Sequence, residues 1–269
     1  MNISPITNFI KPKLNFTSTA RTEYYAKNTL NGDTFIKEIY NPFENEVKNS
    51  NFSVFFRDDI EDDIFSNWNT VIREICEKLP KDKKINIYDF ACSDGSEAYS
   101  LIISLIETLG EKEAERFLPI KAFDKDEEII KRAKSNFIFA DKNDIEKIKK
   151  YTNDNLEKYF YVAKEENGQC LLVVRPILSS NVVFKQAKIQ DEIKNLNEPN
   201  SLIFARNMWK YLPEDERISS FKEMYDTIDS SSKLFLGAFD FYKGGKLPVG
   251  LAEAGFTASD ISDYSFEKR

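Results

Sequence analysis

Ile85-Asn86-Ile87-Tyr88-Asp89-Phe90 runs directly into Ala91-Cys92-Ser93-Asp94-Gly95-Ser96-Glu97. A short apolar run, Ile85 to Phe90, gives way to a turn over Cys92 to Ser96. A helical stripe follows from Glu97 to Leu109, with Leu101, Ile102, Leu105 and Ile106 inward. This reads as strand, turn and helix. In that arrangement small residues let a ligand approach the backbone, and the helix N-terminus offers free N–H groups. Of the three glycines in a dinucleotide fingerprint only Gly95 is present, and a plain tight turn capped by Asp or Ser fits the same residues.

The same rhythm continues on the C-terminal side. Ile120 to Phe123 is a second strand, followed by Asp124 and a helix over about 126–135. Val182 to Phe184, Ser201 to Ala205 and Leu234 to Phe239 are further strands. Pro213 to Ile228 is a helix with proline near its first turn, where the missing N–H costs nothing. Strands alternating with helices predict an α/β fold with a doubly wound, mostly parallel sheet. One stretch breaks the alternation. Tyr159 to Val162 and Cys170 to Val174 flank Glu165-Glu166-Asn167-Gly168, and Asn-Gly between apolar runs signals a β-hairpin. A β-hairpin insertion is therefore expected near 156–184.

On the N-terminal side, Ile60, Ile64, Phe65, Trp68, Val71, Ile72 and Ile75 recur at three- and four-residue spacing, predicting a helix over 59–78. Pro80 and Lys81-Asp82-Lys83-Lys84 read as a solvated linker. Residues 1–50 are rich in Asn, Thr and Ser, and the first thirty or so read as a loose arm. The expected division is an N-terminal arm and small helical domain over 1–80 and a larger domain over 81–269.

The chain of 269 residues contains no histidine, which excludes Ser–His–Asp and Cys–His machinery and His-ligated metal sites. Cys76, Cys92 and Cys170 are odd in number with no CxxC spacing, so no metal site is expected and a reducing, cytoplasmic setting fits them. The formal charge of −7 argues against nucleic acid as a partner. The longest apolar run is too short to span a bilayer, and no signal peptide is apparent.

Beyond the first turn, three places suggest chemistry. Asp124 ends the second strand, where an acid can accept hydrogen bonds from ribose hydroxyls; capping the next helix is the alternative. Arg206 and Asn207 follow the strand Ser201 to Ala205, where they line a pocket or an ordinary loop. Asn51-Phe52-Ser53-Val54-Phe55-Phe56-Arg57 puts an arginine beside two phenylalanines, either as an anion clamp or as a surface charge beside core.

Together these segments resemble the CheR-type chemotaxis methyltransferases, S-adenosylmethionine (SAM)-dependent glutamate O-methyltransferases. Asn51 to Arg57 matches that family's N-x-T-x-F-F-R with Ser53 for Thr. Ser93-Asp94-Gly95-Ser96-Glu97-Ala98-Tyr99-Ser100 is similar to S-T-G-E-E-P-Y-S. Asp124-Lys125-Asp126 resembles its acidic pair, and Phe204 to Leu212 resembles F-C-R-N-x-x-x-Y-F. The likeness covers roughly residues 50–240.

The resemblance implies a Rossmann-like class I methyltransferase domain with SAM as cofactor and S-adenosylhomocysteine as product. It places Asn51, Ser53 and Arg57 over the ligand and Ala91, Ser93 and Gly95 in the binding turn. Glu97 then faces the methionine amine and Asp124 the ribose. Lys188 and Ile189 fall near the adenine, with Lys188 where the family has Asn. Arg206 and Asn207 complete the pocket, and Tyr211 lies near the reacting methyl. Arg57 and Tyr211 are the expected catalytic residues, with Arg73 a further candidate.

The implied reaction converts a protein carboxylate to its methyl ester. Two other readings fit: a degenerate SAM- or S-adenosylhomocysteine-binding regulatory module, and a methyltransferase for a non-receptor acceptor. Residues 1–80 carry 9 basic and 12 acidic side chains, a net of −3, which is unlike the basic face that docks on acidic receptor helices. The partner is thus expected to be a protein acceptor of unspecified identity, with oligomeric state open.

Overall fold

The computed structural model describes residues 24–27, 34–37, 55–57, 68–166, 169–241, 247–261 and 264–268. By internal contacts the chain separates into two units, residues 1–50 and 51–269. In the first, β1 (Tyr24–Lys27) and β2 (Thr34–Lys37) pair antiparallel. That pairing falls in a stretch whose composition showed no periodic signal.

The second unit opens with α1 (Trp68–Lys78), which buries Trp68, Ile72, Ile75 and Cys76 along one stripe. The rest of the expected helix over 59–78 lies outside the described residues. Next come β3 (Asn86–Phe90) and α2 (Ser96–Leu109). Helix α2 stops where Gly110, at φ 80, donates its N–H back to Ile106 O. The short helix α3 (Glu111–Ala114) leads to β4 (Ile120–Asp124) and α4 (Glu127–Lys134). Asp126 caps α4 by accepting the N–H groups of Glu128 and Ile129.

The chain then leaves the main sheet. β5 (Phe137–Asp141), α5 (Lys142–Tyr151), β6 (Phe160–Glu166) and β7 (Gln169–Val174) form an insertion whose strands make an antiparallel sheet in the order β5-β7-β6. The β6–β7 hairpin was legible from its apolar runs. Its third strand, β5, was not: Phe137-Ile138-Phe139-Ala140-Asp141 is separated from α4 only by the two-residue turn Ser135-Asn136, with Asn136 at φ 61. The Asn167-Gly168 turn lies outside the described residues.

The chain re-enters the main sheet through α6 (Pro176–Ser179) and β8 (Val182–Gln186). It continues with α7 (Ile189–Glu192), β9 (Ser201–Phe204), α8 (Glu214–Thr227), β10 (Lys233–Phe235), β11 (Phe256–Ala258) and β12 (Ser265–Lys268). Strand β10 stops at Phe235 rather than Phe239, because Ala238–Asp240 coils into a 3-10 turn.

The order across the seven-stranded sheet is β8-β4-β3-β9-β10-β12-β11. Strands β8, β4, β3, β9 and β10 are mutually parallel, and β12 runs antiparallel between β10 and β11. Each face carries its own apolar cluster. Ile87, Ala122, Phe204 and Phe235 pack with α1 and α2, whereas Tyr88, Phe90, Ile203 and Leu234 pack with α7 and α8. Winding proceeds outward from β3 to β8 and then returns to start again at β9. Strand order therefore reverses between β3 and β9, and the crevice at their carboxyl ends is where such sheets bind ligands. No helix among the described residues is long and apolar enough to cross a membrane.

Candidate active site

The turn after β3 is held in an uncommon backbone shape. Ala91, Ser93 and Gly95 have φ of 60, 52 and 93. L-residues with a Cβ rarely adopt that region, at a cost on the order of 1–3 kcal/mol each. Three hydrogen bonds maintain it. Cys92 N–H donates to Phe123 O (3.0 Å), Gly95 N–H to Cys92 O (3.0 Å), and Ser93 N–H to Asp124 Oδ2 (3.1 Å). A Cβ on Gly95 would stand 2.6 Å from Phe184 Cζ, so glycine is needed for space as well as for backbone shape. The other oxygen of Asp124 accepts the N–H of Asp126 (3.0 Å). Turn and strand end are thus stitched together through one carboxylate.

Across the crevice, Arg206 follows β9 with a fully buried side chain. Its Nη1 donates to Glu97 Oε2 at 2.9 Å, and its guanidinium lies 5.4 Å from the centre of the Trp68 ring. Asn207 takes φ 58 and is fixed from two sides. Its N–H donates to Asp240 Oδ2 (2.6 Å), and its Oδ1 accepts the N–H of Phe239 (3.0 Å). Asp240 also accepts from Gly237 N–H (3.0 Å) and Trp209 N–H (2.9 Å). Burial pushes the Asp240 carboxyl up to about 6, opposed by these three donors. Gly237 is required because a Cβ there would meet Asn207 Oδ1 at 2.0 Å.

The segment Phe55–Arg57 is anchored on two elements. Phe55 N–H donates to Asp144 Oδ1 (3.1 Å) at the start of α5, and Phe56 N–H to Ser100 Oγ (2.9 Å) on α2. Phe56 stacks on Tyr151 at 4.4 Å, and Phe55 meets Phe160 edge-on at 5.5 Å. Both phenylalanines are buried, and Arg57 emerges half-buried beside them.

The structure therefore brings together the turn at Ala91, Ser93 and Gly95 with Glu97, Asp124, Arg206 and Asn207. Ala187 N–H donates to Asp124 O (2.9 Å), so the neighbouring Lys188 and Ile189 reach the same edge. Ile189 is buried with Tyr88, Phe90 and Phe123, and Lys188 is exposed. Tyr211 is 65% exposed, with the Lys210 amine 4.9 Å from its ring centre. Arg73 is exposed on α1, outside the buried stripe of that helix. Asn51 and Ser53 lie outside the described residues. Sequence reasoning missed Asp240 and Asp144 as residues that hold the backbone of the site.

Comparison with known proteins identifies the family. The family model for the CheR methyltransferase, SAM binding domain, matches residues 51–247. The chain belongs to the CheR methyltransferase family. The matched range spans the strands from β3 to β10, the turn after β3 and the insertion. Chemotaxis protein methyltransferase 2 of Vibrio cholerae is 25% identical over 192 residues, 70% of this chain and 61% of that protein. The chemotaxis protein methyltransferase of Borreliella burgdorferi is 25% identical over 199 residues, 73% of this chain and 66% of that protein. The chain thus spans less than two thirds of the length of these curated relatives. Among solved structures, a TehB-like SAM-dependent methyltransferase from Corynebacterium glutamicum is similar at 13% identity and TM-score 0.39, covering 74% of this chain and 87% of that one.

The CheR-family cofactor is SAM, and the residues present fit it. SAM offers ribose hydroxyls, an ammonium, a sulfonium and a carboxylate. Asp124 accepts two N–H bonds and retains acceptor capacity for hydroxyls, since a carboxylate has about four lone-pair sites. Glu97 supplies an anion for a cationic group, and Arg206 a cation beside it.

Proposed function

We propose that this chain transfers a methyl group from SAM to a carboxylate oxygen of a protein side chain, forming a methyl ester. The observation that carries the reading is the Arg206–Glu97 pair held beside Asp124 at the switch point, within a chain of the CheR family. When bound, SAM supplies an electrophilic methyl on a positively charged sulfur. A glutamate carboxylate is ionised near pH 7, with an ordinary value of about 4.3. Its oxygen therefore attacks without a general base, and a chain lacking histidine is suited to such an acceptor. The new O–CH3 bond forms as the S–CH3 bond breaks, with the electron pair left on sulfur.

The protein's part is alignment and exclusion of water. Asp124 and Glu97 hold the ribose and the amine. Arg57, aimed by its buried phenylalanine neighbours, orients the acceptor carboxylate. Tyr211, on the exposed rim, positions the acceptor against the methyl. Asn51, Ser53, Lys188, Ile189, Arg206 and Asn207 complete the ligand contacts, with the domain over 81–269 carrying most of them.

The test is transfer from methyl-labelled SAM to receptor cytoplasmic fragments and, in parallel, to lysate of the native host. Base-labile label on protein glutamates is the expected outcome. Label that resists base, or none on any protein, contradicts it.

A further inference from the structure

Glu97, Asp124 and Arg206 have roles in the reading above, and Asp89, which lies among them, has none. Asp89 is 0% exposed, and neither carboxyl oxygen has a hydrogen-bond partner among the described residues. Strand alternation explains its position. Tyr88 and Phe90 point to the α7–α8 side, so Ile87 and Asp89 point to the α1–α2 side. In register, Asp89 is flanked by Ala122 and Phe204, both apolar. A carboxylate desolvated without a partner is costly, and such a group takes up a proton instead.

Three charged groups act on Asp89 from the elements around it. Glu97 stands in the first turn of α2, Arg206 follows β9, and Asp124 ends β4. Burial raises the Asp89 carboxyl well above its ordinary range, Glu97 and Asp124 raise it further, and Arg206 opposes them. Arg206 is already paired with Glu97 at 2.9 Å. Cys92, in the turn, is itself pushed up by burial and by Asp89.

We propose that Asp89 is a third carboxyl of the cofactor site, protonated in the free protein and ionised as the cofactor's positive charge arrives. The proposal rests on the SAM reading above. A cation beside Glu97 cancels the repulsion that Glu97 exerts on Asp89 and adds an attraction, so the charged form becomes favoured. The O–H bond of Asp89 breaks, its electron pair stays on the carboxylate, and the proton passes to buffer. The product S-adenosylhomocysteine carries one positive charge fewer than SAM. It keeps the ammonium that faces Glu97, so Asp89 stays ionised with the product bound as well.

Calorimetry of SAM binding in two buffers of different ionisation enthalpy counts the protons exchanged. The wild type is expected to release about one proton on binding either SAM or S-adenosylhomocysteine, with SAM affinity rising about tenfold per pH unit where that proton is released. Asp89→Asn, which keeps the shape and cannot titrate, is expected to bind SAM without proton release. Equal release by both proteins, or none by the wild type, overturns the proposal while leaving SAM binding intact. No SAM binding at all overturns the cofactor reading together with it. If Asp89→Asn does not fold, the infrared difference spectrum of the wild type decides. Loss of a protonated-carboxyl C=O band on SAM addition supports the proposal, and an unchanged band overturns it.

Discussion

Arg206 serves packing and, in the proposed function, binding as well. Its side chain is fully buried, pairs with Glu97 and faces the Trp68 ring, so truncation leaves carboxylates without their cation. Arg206→Ala is expected to cost about 3–5 kcal/mol of stability, read from denaturant midpoints, and to abolish SAM binding in whatever folds. Asp124→Ala removes a charged acceptor, worth about 1.5–3 kcal/mol, or roughly ten- to a hundredfold in SAM affinity by calorimetry. A mutant with unchanged affinity would show that Asp124 only braces the turn through Ser93. Asp144 gives a pH test. Burial raises its carboxyl from 3.8 to about 6, so the folded state binds protons more readily than the unfolded chain. Stability conferred by this group is greatest at low pH and declines as pH rises through about 6. Relative to Asp144→Asn, the wild type should gain up to about 3 kcal/mol between pH 7 and pH 4, and a pH-independent difference in melting would refute this. Asp124, Arg206 and Asn207 stood out in the sequence because each sits where a strand ends and the chain must turn, and Glu97 because it opens the helix after the first turn. Asp144 and Asp240 did not, because their work is done on Phe55 and Asn207, 89 and 33 positions away. Asp89 was quoted within its strand, but alternation alone reveals a face and not what lies above it.

At the scale of elements, the segment Phe55–Arg57 depends on acceptors supplied by α2 and α5. Ser100→Ala leaves the buried Phe56 N–H without its acceptor and should cost about 1–3 kcal/mol, seen as a lower melting temperature. Arg57→Ala should leave melting nearly unchanged while raising the acceptor KM, since the buried phenylalanines rather than the guanidinium fix the segment. The turn after β3 is equally demanding. Gly95→Ala meets both an unfavourable φ and the Phe184 ring, and should destabilise the fold and weaken SAM binding together. The parallel strands β3, β4, β8 and β9 showed in the sequence as apolar runs next to helical stripes. β11 and β12 gave no such signal. β11 has three residues, and β12, Ser265-Phe266-Glu267-Lys268, has a single apolar side chain, so their pairing follows from the neighbouring β10 edge rather than from local propensity.

Across the whole molecule, the sheet order places the candidate binding elements of the sheet on one edge. β3 supplies the turn, β4 ends in Asp124, β9 leads to Arg206, and β8 brings Lys188 and Ile189 alongside. With a charge of −7, the proposed acidic acceptor would have to be recognised through local cations such as Arg57 rather than through the field of the whole chain. The division of SAM binding between one sheet edge and one N-terminal segment is the central claim, and a crystal structure with S-adenosylhomocysteine tests it most directly. The ribose hydroxyls are expected on Asp124, the amine on Glu97 and the adenine beside Ile189. Adenosine bound elsewhere, with Asp124 and Glu97 facing only solvent or protein, would contradict it.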